Sequence, residues 1–374
     1  MNTSAKRIYN AVATPTFRWA KVNELELADI AYEIPKDVLL DLSHEGGTVQ
    51  ELRKEKILLA GQFDGANREM VQEVQSRYNS GYQLIAAEGE TVRARFDYTL
   101  DSEHTYIAGQ LQVQAAPNSK VEIYLIFDGE AEHGGVNYLT YVDVADQASV
   151  KIIKVQIHGD GVRHIEHRYS RVGNSGSVQY VNTEMGAQET IVQHTTDLYG
   201  IASRLEEETI YLGVGAQRFD FSYLTNQRGE QSYSNLLATG ALMDSSKKAF
   251  RGTIDFKRGA KRSEGAEEDV CLLLSPDVKS ISLPLLLCKE DDVSGSHAAS
   301  AGQIDRDKMF YIMSRGFDEA ETKHIIVESN MRPIIDKIGN EMLENRILQA
   351  IRQKMNYCKK GDCDAKCTKR FPHT

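Results

Sequence analysis

Four strand-like runs recur along this chain at a nearly constant interval. They are Val121-Glu-Ile-Tyr-Leu-Ile, Val150-Lys-Ile-Ile-Lys-Val-Gln-Ile, Val178-Gln-Tyr-Val-Asn and a looser copy starting at Leu205. Their first residues lie 29, 28 and 27 positions apart. Apolar and polar residues alternate within the runs, which marks strands with one face in a core. A small polar turn ending in Ser precedes them, as in Asn118-Ser119, Ala148-Ser149 and Gly176-Ser177. Repeats of roughly 20–50 residues build solenoids or propellers. No helix-length segment separates the runs, which argues against a doubly wound α/β sheet. A β-solenoid that stacks such coils into one elongated core is therefore expected, with a β-sandwich as the competing architecture.

The flanks differ from this core. Residues 1–78 read as helical or irregular, with a helix expected from Gly65 that puts Met70, Val71 and Val74 on one side. The solenoid is expected over 79–302. From 303 to 352 the pattern is helical. Asp305 can cap a first helix that Gly316 ends, Asp318 and Glu321 form a capping box for a second, and Pro333 suits the first turn of a third. The third helix would carry Ile334, Ile338, Met342, Ile347 and Ile351, and all three would cover the solenoid's end or dock a partner. Residues 353–374 form a basic tail, expected to be disordered. From Arg352 onward it holds seven Lys or Arg against two Asp.

Composition narrows the function. The net charge is -10, which argues against a general grip on nucleic acid. No apolar run is long enough to span a membrane, and the N-terminus lacks a signal-peptide core, so a cytoplasmic location is expected. Five cysteines, three of them in the tail, read as reduced thiols.

Common catalytic motifs are missing: there is no Walker A sequence, no Gly-x-Ser-x-Gly and no His-Glu-x-x-His. Gly213-Val-Gly-Ala lies among strands and reads as a β-turn. His158, His164, His167 and His194 are the densest histidines, expected at surface or turn positions. His164 and His167 are three apart, and on a strand such positions point to opposite faces. Cys358, Cys363 and Cys367 lack a standard zinc spacing, with His373 the available fourth ligand. The carboxylates of a β-solenoid could also line a carbohydrate-active groove, but the single Trp19 lies outside the repeats.

One stretch is more specific. Phe250-Arg-Gly-Thr-Ile-Asp leads to Cys271-Leu-Leu-Leu and a Pro, then to Asp291-Asp-Val-Ser-Gly-Ser-His-Ala-Ala-Ser, and ends on Met309-Phe-Tyr-Ile-Met-Ser-Arg-Gly. In this order and spacing it resembles the SufB/SufD family of iron–sulfur cluster assembly scaffolds. The likeness covers residues 80–330 well and the N-terminal 78 loosely, through Pro15-Thr-Phe-Arg-Trp-x-Lys-Val-Asn. It implies a mainly β chain: a right-handed parallel β-helix (solenoid) with an N-terminal helical region and C-terminal helices.

The resemblance also implies partners. A SufC-type ABC ATPase would dock on the C-terminal helices, near Phe310, Tyr311, Arg315 and Gly316. A SufB-type scaffold or a second copy would pair through the last strands, where a transient iron–sulfur cluster forms. Asp269 stands where SufB-type chains carry a cysteine, and His297-Ala298-Ala299-Ser300 lacks their glutamate after the histidine. A SufD-like, non-catalytic scaffold is thus implied, with a SufB-type or homodimeric scaffold as the alternative. His297, Cys271 and Cys288 are the cluster-assembly candidates, because imidazole and thiolate suit iron and sulfide. Cys358, Cys363 and Cys367 are weaker metal candidates. No tightly bound cofactor is expected, and no residue announces a flavin pocket.

Overall fold

Each coil of the repeat turns at a residue in the left-handed backbone region. These are Asn118 (φ 63°), Gln147 (φ 60°), Ser175 (φ 51°), Ala202 (φ 57°), Gln231 (φ 56°) and Arg262 (φ 58°). Such φ values are uncommon outside glycine. Here the turns are tied together. The N–H of Asn118 donates to Asp146 (3.1 Å), that of Gln147 to Asn174 (2.8 Å), and that of Ser175 to Ile201 (2.7 Å). Ala202 donates to Glu230 and Gln231 to Lys261, each at 2.8 Å. The turn serines fall into two classes. Ser119 and Ser203 directly follow the left-handed residue and donate to a carbonyl three residues back. Ser149 and Ser177 are one position later, at the strand start.

The computed structural model describes residues 6–12, 15, 21–30, 32–52 and 63–355. Two short strands, β1 (Lys6–Tyr9) and β2 (Leu25–Ala28), pair antiparallel. The solenoid is two facing sheets. In hydrogen-bonded order, the first holds β3 (Leu39–Glu45), β6 (Thr91–Leu100), β8 (Lys120–Gly129), β10 (Ser149–Gln156) and β12 (Ser177–Glu184). It continues with β14 (Arg204–Gly213), β16 (Tyr233–Leu242), β18 (Ser263–Leu273) and β21 (Val293–Gly302). The second holds β4 (Thr48–Glu51), β5 (Ser80–Ala86), β7 (Tyr106–Ala115), β9 (Gly134–Val144) and β11 (Val162–Val172). Then come β13 (Glu189–Leu198), β15 (Arg218–Gln227), β17 (Lys247–Phe256) and the broken pair β19 (Lys279–Ser282) and β20 (Leu285–Cys288). Pairing is parallel throughout except at β3 and β4, which run antiparallel to their neighbours.

The register is that of the sequence repeat. Val150 pairs with both Val121 and Val178, and Val178 pairs with Leu205. Alternate residues such as Val121, Ile123, Leu125 and Phe127 therefore stack coil on coil in one buried interior. Because every coil repeats a face, burial is continuous along the axis.

The flanks differ from the sequence expectation in three respects. Residues 1–78 are not only helical or irregular: they contribute β1 to β4. The half-buried Leu40 and Leu42 of β3 alternate toward the core, over a run too short to stand out. The expected helix is present as α1 (Arg68–Ser76), capped by Asn67 and buried through Met70, Val71 and Val74. At the other end, α2 (Arg306–Met313) is capped by Asp305, and α3 (Glu319–Ile335) carries the Asp318–Glu321 capping box. Pro333 does not open the third helix; it lies inside the last turn of α3. Gly339 (φ 68°) breaks the chain and Asn340 caps α4 (Glu341–Lys354). The proposed apolar stripe is thus split, and Met342 is exposed.

The helices lie along the flank of the first sheet, not across the solenoid's end. Val327, Met331, Ile334, Ile335, Leu343, Ile347 and Ile351 bury against Ile126, Ile153, Val155, Val181, Ile210 and Leu212, on strand faces that point away from the interior. Ile335, fully buried there, tests this packing. Ile335→Ala should cost about 2–5 kcal/mol in urea unfolding while leaving the strand signal in circular dichroism unchanged.

Candidate functional site

The solenoid has one uncapped end. Its last strands are β21 on one sheet and β19–β20 on the other, and neither has a further strand beside it among the described residues. Most of β21 is exposed, His297 included. A strand with one free edge of this kind is a template for another chain.

Beneath β21 the interior turns polar. In the β18–β21 register, His297 lies opposite Glu267, Ala299 opposite Asp269, and Ala301 opposite Cys271. Glu267, Asp269 and Cys271 all point inward and are buried. Lys248 of β17 forms an ion pair with Asp269. Neither oxygen of Glu267 has a hydrogen-bond partner. Burial, with Asp269 beside it, pushes this carboxyl up to about 8, so it is protonated at neutral pH. Its side chain fills the space over Gly252, where any Cβ would collide with the carboxylate. That explains the glycine in Phe250-Arg-Gly-Thr-Ile.

The three cluster-assembly candidates are placed differently. His297 is exposed on the end strand, Cys288 is exposed at the end of β20, and Cys271 is buried. Burial pushes the Cys271 thiol up, away from the reactive thiolate form. Cys271 also lies four residues along the strand from the partner of His297, about 13 Å at the usual rise. These two side chains do not share an ion. Among the described residues, no three His, Cys, Asp or Glu side chains converge to hold a metal. Cys358, Cys363, Cys367 and His373 lie outside the described residues.

The docking candidates form a second feature. Phe310 is 75% exposed and Tyr311 59% exposed, and α2 buries no residue. Arg315 donates to the Tyr311 hydroxyl (3.1 Å) and its guanidinium sits 5.0 Å from that ring's centre. Gly316 (φ 101°) makes the turn that follows. Phe317, also exposed, extends the apolar surface.

A third feature escaped the sequence reading: the middle of the solenoid interior is charged. Lys154 pairs with Glu166 and lies 2.5 Å from Glu184, while Arg168 lies 2.5 Å from Glu166. All four are buried. Burial raises carboxyl pKa values, but Lys154 and Arg168 overrule it and hold Glu166 well below the usual range. His194 bridges to Glu207 and reaches Glu166 at 3.4 Å. All four histidines are therefore buried and not at the surface: His164 and His194 face the interior, while His158 lies in the turn segment between β10 and β11. His164 faces inward beside Glu166, and His158 packs 5.5 Å from it, ring to ring. His167 faces the other way, as spacing predicted, and accepts from the Ala66 N–H (2.9 Å). The N-terminal segment covers it. The signal that could have revealed the seam is alternation: Lys154 continues the alternate positions of Val150 and Ile152, Glu184 those of Val178 and Tyr180, and Glu207 that of Leu205.

Residues 98–330 match the family described as SUF system FeS cluster assembly, SufBD core domain. The chain belongs to this SufBD family. It is 28% identical over 220 residues to the iron-sulfur cluster assembly protein SufD of Bacillus subtilis, covering 59% of this chain and 50% of that protein. A SufBD family protein of Mycobacterium tuberculosis is 22% identical over 232 residues, covering 59% of this chain and 58% of its own length. One of Mycobacterium leprae is 22% identical over 259 residues, covering 67% and 65%. The chain spans about half the length of the first of these relatives. No helix among the described residues of this SufBD chain is long and apolar enough to cross a membrane.

The charged seam makes two measurable demands. Lys154→Met leaves Glu166 and Glu184 facing each other without their shared cation, and should cost about 3–5 kcal/mol in urea unfolding. The histidines set a pH slope. Burial pushes His164 down to about 4 and His167 to about 3, so both stay neutral in the fold while unfolded imidazoles take up protons near 6.5. Their contribution is full above pH 6.5 and is lost as pH falls toward 4. His167→Gln should make that loss shallower by about one proton, roughly 1.4 kcal/mol per pH unit, in urea titrations between pH 6.5 and 4.

Proposed function

We propose that this SufBD chain is a SufD-like, non-catalytic scaffold of an iron–sulfur cluster assembly complex. A SufC-type ABC ATPase docks on α2, and a SufB-type scaffold or a second copy adds to the open end at β21. The observation that carries this reading is the uncapped final coil: a mainly buried solenoid leaves the outer edge of its last strand without a neighbour among the described residues, with His297 on that strand. The likeness to the Bacillus subtilis SufD supports the SufD type, as does Asp269 where the SufB-type cysteine would stand. A transient cluster, not a resident cofactor, is the group that passes through the seam. ATPase closure pulls on α2, and the helix packing of α3 and α4 on the first sheet carries that motion to the solenoid.

Deleting everything from Gln303 would strip α3 and α4 from the sheet and expose the Ile126–Ile210 face. Point changes on α2 avoid this. Phe310→Asp with Tyr311→Ala should abolish capture of a co-expressed SufC-type ATPase while the melting temperature stays unchanged, since both side chains face solvent. Capture by the double variant at the wild-type level would move the ATPase to another surface.

A further inference from the structure

Buried polar atoms without hydrogen bonds are costly, and a cluster of them points to something that uses them. His158 and His164 form such a cluster: they are 4% and 0% exposed, and none of their four ring nitrogens has a hydrogen-bond partner. His164 projects inward from β11 and His158 lies in the segment before it, with the ring centres 5.5 Å apart and the rings tilted by 41°. Burial pushes His158 well below the usual imidazole range and His164 down to about 4. The Asp128 backbone beside His158 and the Glu166 carboxylate, 3.9 Å from His164, favour the charged forms but do not offset this. Both rings are therefore neutral at pH 7, each with a nitrogen lone pair available to a metal. Phe127, fully buried, packs 5.0 Å from the His164 ring and 6.0 Å from that of His158, centre to centre, and makes that side of the pair apolar. His158 also lines a cavity of about 640 Å³ between α4 and the corners that lead into β9 and β11. The carboxylates of Asp128, Glu130, Glu132 and Asp160 line it against Arg346 and Lys354, so it draws cations.

We propose that His158 and His164 together bind one monovalent copper ion, which enters through this cavity. The site goes beyond the scaffold function and does not depend on it. Two imidazoles whose nitrogens lie about 2.0 Å from a shared ion hold their ring centres about 5–6 Å apart, and the 5.5 Å separation fits. The number of ligands selects the ion. Among the described residues, no third His, Cys, Asp or Glu side chain completes a metal site. Zinc takes three or four protein ligands. Cu+ is satisfied by two donors in a bent or linear arrangement, and imidazole suits copper. Charge selects it too: Lys154 disfavours positive charge at both rings, so a monocation is tolerated better than a dication. Binding releases no proton, because the rings are already neutral. Copper enters and leaves as Cu+, and no electron is transferred. The bound ion ties the segment before β11 to the strand itself and so holds this corner of the coil.

The test uses the purified full chain with its accessible thiols alkylated, because thiolates compete with imidazole for Cu+. Without oxygen, and against a chelator of known affinity, the chain should retain one Cu+ and melt at a higher temperature than the metal-free chain. X-ray absorption should show two imidazole nitrogens around the copper and no sulfur. His158→Leu and His164→Leu should each weaken binding by about 100-fold or more, beyond the cost of losing an outer partner. Neither should lower the metal-free stability, since neither imidazole has a hydrogen bond to lose. His44→Ala, which removes an exposed histidine on β3, should bind normally. Copper-catalysed oxidation of the loaded wild type with peroxide, mapped by mass spectrometry, should place oxygen on His158 and His164, and decides the location even where a leucine variant fails to fold. No stoichiometric binding, wild-type affinity in either leucine variant, oxidation at other histidines only, or a first shell other than two imidazoles overturns the proposal. Those outcomes leave capture of the ATPase by α2 untouched, so the scaffold reading stands or falls separately.

Discussion

The ladder of left-handed turns is the constraint on which the rest of this molecule depends. Each coil must reverse within a few residues and return its strand to the register of the last one. Asn118, Gln147, Ser175, Ala202, Gln231 and Arg262 do this in a backbone region that most residues avoid. What makes it tolerable is repetition: the N–H of each turn finds a carbonyl in the next, so the conformational cost is met by a hydrogen bond that exists only in the stack. A single coil has no such partner. The solenoid is therefore cooperative between coils, as expected of quasi-one-dimensional folds, and its ends are where that cooperativity fails.

The two ends resolve this problem differently. At the start, β3 and β4 run antiparallel to the coil they cover, so the chain reverses direction and its edge is not in register for a further coil. At the finish no such device is present among the described residues. β21 continues the parallel register, and the opposite sheet breaks into β19 and β20 around Leu283 and Pro284. An end left in register and exposed, with a histidine on it, contrasts with the capped one. Placing C-terminal helices over it would have been the simplest cap, yet they pack on the flank and leave it open.

Much of this was legible in the residues, and the misses have physical causes. The four runs starting at Val121, Val150, Val178 and Leu205 stand out because their outer faces stay partly polar, which preserves the period of two. The facing strands hide it: β9 is buried at every position but one and β7 likewise, because α1 and the N-terminal segment cover their outer faces. A strand buried on both sides loses its alternation. Histidines were misplaced for the same reason, since a polar residue inside a solenoid is indistinguishable by type from one at a turn. Pro333 misled because a proline in the last turn of a helix and one in the first turn of the next are a few residues apart in the chain. The aromatic motif at Phe17 and Trp19 lies outside the described residues. Of the candidate site, the family resemblance singled out His297 and the α2 aromatics, whose exposure the structure adds, but not Glu267, which draws attention through its register and its lack of a hydrogen-bond partner.

The charged seam bears on how such an interior can remain ordered. A wholly apolar core would tolerate slippage between coils, because a one-coil shift replaces one aliphatic residue with another. Lys154, Glu166, Arg168, Glu184, His194 and Glu207 cannot be exchanged in that way. One coil outward Asn182 holds the register position of Lys154, so a shift of one coil would leave Glu166 facing an amide in place of its cation, at a cost that a low-dielectric interior magnifies. Buried ion pairs contribute little net stability against an apolar alternative. Their effect here is on specificity: they hold the central coils in one register, and register is what sets His297 opposite Glu267 several coils away.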